Sequence, residues 1–342
     1  MKTGYVYHPI YLKHDTGQHV ENAKRLEAAI SYLEYTGLIK QLTPINPRPA
    51  TIEELAWIHQ EQHISHIKEM ANKGGGWLDA DTVISPDSYE AALYAAGGTI
   101  EAVETVLNGG LTSAFALVRP PGHHATAQKA MGFCLFNNVA IAAKYALAGG
   151  LERILIIDFD VHHGNGTQNS FYDNSQALYI SAHQSPLFPG TGEIGEIGVG
   201  KGKGYTINIP LPSGCCDTEY EQIFAEIIVP ASRRFQPQFI LVSAGYDLHW
   251  SDSMALIQVS VSGFAWMTGI IKNLADELCN GRLVFVLEGG YNLNAQAASI
   301  KATFDILLGN QFEDPLGQPP HRFSTPDLSH LIKTIRELHS LT

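Results

Sequence analysis

Ile154-Leu-Ile-Ile-Asp-Phe-Asp-Val-His-His-Gly-Asn-Gly166 is the stretch whose reading decides the fold. Its first four residues are apolar with no polar alternation, as in a strand whose sheet is covered on both faces. Carboxylates and imidazoles follow immediately, so the strand runs out into a loop crowded with titratable groups. The same grammar recurs three times. Ala114–Val118 leads into Arg119-Pro-Pro-Gly-His-His124, Phe239–Ser243 into Ala244-Gly-Tyr-Asp247, and Leu283–Leu287 into Glu288-Gly-Gly-Tyr291.

Further strands are predicted at Tyr5–Tyr7, Ala177–Ala182 and Thr206–Ile209, with helical patterns between them. Asn22–Tyr35 carries Leu26, Ala29, Ile30 and Leu33 at helical spacing and stops at Gly37. Other helices are expected near Ser85–Leu107, Asn138–Ala148, Asp217–Phe235, Ser262–Leu278, Ala295–Leu308 and Asp327–Leu338. Strand–helix alternation predicts a single-domain, three-layer α/β/α fold with a mostly parallel sheet. In such sheets ligands bind outside the carboxyl ends of the strands, where the four polar clusters fall.

Asp158, Asp160 and His162 alternate along an extended segment, so their side chains can converge. Two carboxylates and an imidazole held together without solvent require a cation. This donor set suits a catalytic zinc, which takes three protein ligands and keeps a position for water. Asp160 and His162 supply two ligands, and Asp247 is the best third. A lone Asp after a strand is ordinarily a helix N-cap, but that explanation would have to hold at four strand ends together. Pro120 and Pro121 stiffen the approach to His123 and His124, a rigid presentation suited to general acid–base work.

The chain has 342 residues with 22 Lys and Arg against 34 Asp and Glu, giving a net charge of −12. Such a surface repels phosphate backbones and argues against nucleic-acid binding; it attracts cationic substrates. Cys134, Cys215, Cys216 and Cys279 lack disulfide or C-x-x-C spacing. Neither a signal peptide nor a membrane span is expected, so the reading is cytoplasmic and soluble. Gly190-Thr-Gly-Glu-Ile-Gly195 satisfies G-x-G-x-x-G, yet Gly198, Gly200, Gly202 and Gly204 follow where a dinucleotide site needs a helix. His59, His63 and His66 sit at spacings compatible with one helical face but have no accompanying carboxylate, so a solvated or capping role is expected.

Arg119-Pro-Pro-Gly-His-His-Ala125, Gly132-Phe-Cys134, Phe136-Asn-Asn138, the Asp158–Gly166 run, Phe188-Pro-Gly-Thr-Gly192 and Leu287-Glu-Gly-Gly-Tyr291 together resemble the histone deacetylase family, on its class II side. That family includes the acetylpolyamine amidohydrolases and shares the arginase–deacetylase fold. The resemblance spans residues 5 to 310, within one deacetylase domain over 1–342 and a helical extension at 311–342. It implies Asp160, His162 and Asp247 as zinc ligands, His124 as general base and then acid, His123 supported by Asp158, and Tyr291 as oxyanion donor. Asn165 would be the partner of His124, in a position where class I enzymes carry Asp. This should lower the pKa of His124.

Phe133 and Phe188, with Gly132, would line an acyl-lysine tunnel, and Asp81 would match the rim aspartate. Asp158, Asp160, His162 and Ser181 resemble an inner potassium site, with Phe171 and Tyr205 near an outer one. Met254 stands where polyamine-selective members are expected to carry an acidic residue. The resemblance therefore implies a zinc deacetylase acting on acetyl-lysine in proteins or peptides, with small acetylated amines as the alternative. A binuclear manganese ureohydrolase and a non-catalytic acyl-lysine binding module are the more distant readings.

Overall fold

The computed structural model describes residues 2–321 and 326–341. Eight strands form one sheet: β1 (Thr3–Val6), β2 (Thr43–Ile45), β5 (Ser113–Ala116), β6 (Ile154–Asp158), β7 (Ala177–Gln184), β8 (Thr206–Leu211), β9 (Phe239–Ala244) and β10 (Leu283–Leu287). A separate two-residue ladder joins β3 (Gly76–Trp77) to β4 (Val83–Ile84). The main sheet runs β2-β1-β5-β10-β9-β6-β7-β8 with every neighbour parallel. Strands β5, β6, β7, β9 and β10 are buried along their whole length, as their mostly apolar sequences require.

On one side α1 (Lys24–Tyr35), α9 (Val261–Cys279) and α10 (Leu293–Leu308) pack on one another; on the other lie α4 (Ser88–Leu107) and α5 (Asn138–Ala148). The other α-helices among the described residues are α2 (Ile52–Ala56), α3 (Glu61–Asn72), α6 (Asn165–Phe171), α7 (Asp217–Ile223), α8 (Val229–Phe235) and α11 (Ser329–Leu338). The expected single-domain three-layer α/β/α fold is present.

Three expectations change in detail. The helix expected over 217–235 is broken into α7 and α8 by a π turn at Phe224–Ile228. Pro230, in the first turn of α8, has no amide to donate, and a widened turn absorbs the missing bond. Strand β2 escapes the sequence pattern because it is three residues long and contains Pro44, a combination tolerated at a sheet edge. Finally, His59 lies outside α3, so the three histidines do not form one helical face. His59 Nδ1 meets the Thr126 carbonyl at 2.9 Å and its Nε2 accepts the Asn137 amide at 2.9 Å. His63 Nε2 meets the Leu135 carbonyl at 2.9 Å, while His66 is exposed. The first two therefore latch the 126–137 segment, which is neither a solvated nor a capping role. The expected failure of the G-x-G-x-x-G segment holds: no α-helix opens after Gly195 before α7.

Candidate metal centre and active site

The strands carrying the four polar clusters, β5, β10, β9 and β6, are consecutive neighbours in the sheet. Parallel pairing brings their carboxyl ends to one edge, although the chain separates them widely. Asp160, His162 and Asp247 meet there. Each offers a ligand atom, and the three atoms lie within 4.8 Å of one another. His162 Nδ1 stands 3.1 Å from Asp160 Oδ1 and 3.2 Å from Asp247 Oδ2.

The remaining contacts hold these carboxylates in place. Asp160 Oδ1 accepts the His162 amide at 2.9 Å and Oδ2 the Gly289 amide at 2.8 Å. Asp247 Oδ1 accepts the Val161 amide at 3.2 Å. Asp247 Oδ2 is buried and receives no well-aligned hydrogen bond, its polar neighbour being His162 Nδ1 at 3.2 Å, a costly state for a carboxylate oxygen. Gly245 and Gly289 are required sterically, because a Cβ at either would strike the Asp160 carboxylate, and at Gly289 the Asp247 carboxylate as well.

Burial works against charge on His162, but Asp160 and Asp247 outweigh it and push its pKa up to about 10. Burial and then Asp160 raise Asp247. Burial also opposes ionisation of Asp160, but His123 and His162 hold it well below the carboxylate range. The cluster thus concentrates negative charge on one buried point. A divalent cation would neutralise it, so the donor set fits zinc.

The histidine pair sits beside this centre. His123 Nδ1 meets Asp158 Oδ2 at 3.1 Å, and Tyr179 donates to the same oxygen at 2.9 Å. Burial opposes the imidazolium, but Asp158, Asp160 and Glu288 together push His123 up to about 10. His124 goes the other way: burial, followed by the charges of His123 and His162, holds it well below the usual imidazole range. Its Nδ1 lies 2.9 Å from Asn165 Oδ1. An amide oxygen accepts, so Nδ1 carries the proton and Nε2 keeps a free lone pair. The hydrogen bond to Asn165 works the other way and raises the pKa, so the depression of His124 comes from burial and from its two imidazole neighbours.

Asp81, His123, His124, Gly132, Phe133, His162, Phe188, Met254 and Tyr291 line one cavity of about 90 Å³. Gly132 and Phe133 both adopt left-handed backbone conformations, φ 53° and 69°, a strained state for phenylalanine. The Phe133 ring is held edge-on by His19 at 4.5 Å and Tyr291 at 5.8 Å, and its amide donates to Thr82 Oγ1 at 3.1 Å. Phe188 faces His124 at 5.0 Å. At the mouth, burial and then Asp79 raise the pKa of Asp81.

Ser181 pairs with Asp158 in the sheet register, and its hydroxyl bonds His183 Nδ1 at 2.9 Å. Phe171 ends α6, with Lys144 Nζ 5.2 Å from its ring centroid; the Tyr205 ring packs against Phe235 at 5.9 Å.

Sequence reasoning missed the charged scaffold behind these residues. Arg119 grips Glu21 through Nε at 2.5 Å and Nη2 at 2.8 Å, and Arg25 Nη1 reaches Glu21 at 3.1 Å. Arg25 also donates to the Glu288 and Gly290 carbonyls, each at 2.6 Å, and lies 4.9 Å over the Tyr291 ring. Asp252 Oδ2 accepts the Tyr291 and Asn292 amides at 2.7 and 2.8 Å, and Oδ1 accepts the Met254 amide at 3.1 Å. Glu288 Oε2 accepts the Gly122 and His123 amides at 2.7 and 3.1 Å. The signal for Glu288 was its place in a quoted motif; Glu21, Arg25 and Asp252 gave none.

The sequence matches the histone deacetylase domain over residues 19–307. It is 40% identical to a probable deacetylase of Archaeoglobus fulgidus, with 99% of this chain and 98% of that protein aligned. A histone deacetylase-like amidohydrolase of Pseudomonas aeruginosa is also 40% identical, over 80% of this chain and 73% of that protein. The solved structure titled HDA15 HD domain superposes with a TM-score of 0.89 at 34% identity, covering 99% of this chain and 94% of that one. With the family domain matched over most of its length and the fold shared with that solved structure, the chain belongs to the histone deacetylase family.

Proposed function

We propose that this protein is a zinc-dependent deacetylase that hydrolyses the acetyl amide of acetyl-lysine in proteins or peptides, releasing acetate. One observation carries the reading: Asp160, His162 and Asp247 bring three ligand atoms within 4.8 Å of one another, and His162 lines a cavity that also holds His124 and Tyr291. Asp160, His162 and Asp247 would hold the zinc, which supplies Lewis acidity, lowering the pKa of a water toward neutrality and polarising a carbonyl. Asp158, Asp160, His162 and Ser181, and more remotely Phe171 and Tyr205, would take potassium.

The protein's own groups account for the rest. His124 is neutral at working pH and, with its Nδ1 proton committed to Asn165, accepts the proton of the attacking water at Nε2. Asp158 holds His123 in its charged form beside the developing negative charge. The Tyr291 phenol, kept protonated because burial raises its pKa well above 10, donates to the tetrahedral oxyanion. His124 then returns the proton to the departing nitrogen, giving acetate and free amine. Phe133 and Phe188 exclude water from the acyl chain, and Asp81 accepts amides of the substrate backbone at the mouth.

A second reading, small acetylated amines such as acetylpolyamines, draws on the net charge of −12 and on the amidohydrolase relative. Against it, Met254 is apolar, and nearby Asp252 is committed to three backbone amides, leaving it unavailable to a distant ammonium. Among the described residues no helix is long and apolar enough to cross a membrane. The proposed location is cytoplasmic, and the proposed unit is one domain over 1–342 with its extension at 311–342.

The test is acetate release from acetyl-lysine peptides, acetylputrescine and acetylspermidine, with metal content measured in parallel. Peptide kcat/KM at least tenfold above both polyamines is expected, with about one zinc per chain. The reverse order selects the second reading. Two manganese ions per chain select a ureohydrolase, and absence of turnover leaves a binding module.

A further inference from the structure

Glu288 follows β10 and has none of its surface exposed. A buried carboxylate is expensive and normally sits on a guanidinium or an ammonium. Among the described residues this one has neither, and its cationic neighbour is the His123 imidazole. Its Oε2 ends on the amides of Gly122 at 2.7 Å and His123 at 3.1 Å, and Oε1 takes the Ser243 hydroxyl at 3.2 Å. Ser243 belongs to β9, and the two amides belong to the loop after β5, so the carboxylate ties together the ends of three strands.

The tethered amides lie immediately before His124. A Cβ on Gly122 would strike the Asn138 amide, so the loop is already confined on its other side. The Glu288 carbonyl is itself fixed by Arg25 at 2.6 Å. Oε2 accepts in either protonation state of the carboxyl, and both of its amide donors lie on the segment whose placement sets the reach of His124 Nε2.

We propose that Glu288 is a positioning residue for the histidine pair: by accepting the Gly122 and His123 amides it fixes the backbone that delivers His124 to the reacting water. This rests on the deacetylase reading above. It acts through the loop and touches neither substrate nor metal.

The test uses Glu288→Ala and Glu288→Gln in the full chain. Glutamine keeps an oxygen for the two amides and can donate to Ser243. Misplacing a catalytic group by an ångström costs about 10²-fold in rate. Glu288→Ala should therefore lose about that much kcat, with KM within about twofold and zinc content unchanged, and Glu288→Gln should recover most of it. If the alanine variant does not fold, Glu288→Met, which keeps bulk and removes the acceptors, takes its place. Wild-type kcat in the variant without acceptors overturns the proposal, as does equal loss of kcat, KM and zinc in both variants.

Hydrogen exchange separates the latch from the chemistry. Exchange in the 119–126 segment should rise about tenfold or more in Glu288→Ala and stay near wild type in Glu288→Gln. Unchanged exchange in the alanine variant overturns the latch. A wild-type protein that hydrolyses no acetyl amide, yet shows this exchange pattern, overturns the deacetylase reading and leaves the latch standing.

Discussion

Replacing Tyr291 by Phe isolates one hydroxyl. The ring keeps its neighbours, with Arg25 4.9 Å above it and Phe133 5.8 Å to its side, while the backbone stays tied to Asp252 through the 2.7 Å amide bond. The hydroxyl itself makes no hydrogen bond within the described residues, so its removal leaves no partner stranded. Stability should therefore stay close to wild type, and the melting temperature should move by no more than about 1 °C. Catalysis should not be spared. If the phenol donates to the oxyanion only as the tetrahedral species forms, its loss removes transition-state binding alone, about 10²–10³ in kcat or ~2.7–4 kcal/mol. KM should remain within about twofold, because the ground-state carbonyl gains little from that donor. The assay is initial-rate acetate release from a saturating acetyl-lysine peptide, alongside thermal melts of both proteins. A kcat within about fivefold of wild type would refute the assigned role. A large loss in kcat accompanied by an equal fall in stability would also defeat it, by pointing to packing.

Other perturbations probe the cradle and the scaffold. Gly245→Ala places a methyl against the Asp160 carboxylate; zinc affinity, measured by chelator competition, should fall about 10–100-fold, and unchanged affinity would remove the steric basis of the cradle. Glu21→Ala leaves the buried Arg25 and Arg119 without their carboxylate; urea unfolding should show a loss of about 3–5 kcal/mol, and a loss below about 1 kcal/mol would contradict the network. His14 and His59 are buried and neutral, with pKa values near 4 and 3; burial is the main cause for both, with Arg119 adding to it at His14 and His63 at His59. The unfolded chain binds these protons near pH 6.5, earlier than the folded one. Stability should accordingly fall as pH drops from 6.5 toward 4, by about 1.4 kcal/mol per pH unit for each group. Urea midpoints that are equal at pH 7.5 and 5.5 would contradict that sign.

The residues that face the cavity were legible because they violate the pattern around them. A strand such as Ile154–Ile157 needs only apolar neighbours and a turn; Asp160 and His162 directly after it meet no local structural need. The same mismatch exposed His123, His124, Asp247 and Tyr291. What the pattern could not reveal is that β5, β10, β9 and β6 would be adjacent. Strand order is set by packing between distant segments, and no local propensity encodes it. Edge strand β2 and the β3–β4 ladder escaped for a simpler reason, because two or three residues are too few to establish a period.

The scaffold was illegible for a deeper reason. Arg25 lies in the first turn of α1, where periodicity reads a cation as solvent-facing. Its surroundings make it a core residue: Glu21 neutralises it from one turn earlier, and two carbonyls of the Glu288–Gly290 segment accept from its Nε and Nη2. Such a buried ionic lattice contributes little net stability, since desolvation offsets most of its attraction. What it does contribute is a unique geometry, because each donor has one acceptor and any slip strands a charge. Glu21 binds both arginines; Arg119 opens the histidine loop, and Arg25 fixes the glycine-rich turn ahead of Tyr291. One carboxylate therefore ties together the loops carrying the proposed base and the proposed oxyanion donor, which face each other across a space of about 90 Å³. Glu21→Gln keeps the shape but removes the counter-charge and turns an amide NH2 toward a guanidinium N–H, so it should lower both the melting temperature and kcat; wild-type kcat in the folded variant would reduce the lattice to an ordinary stabilising contact.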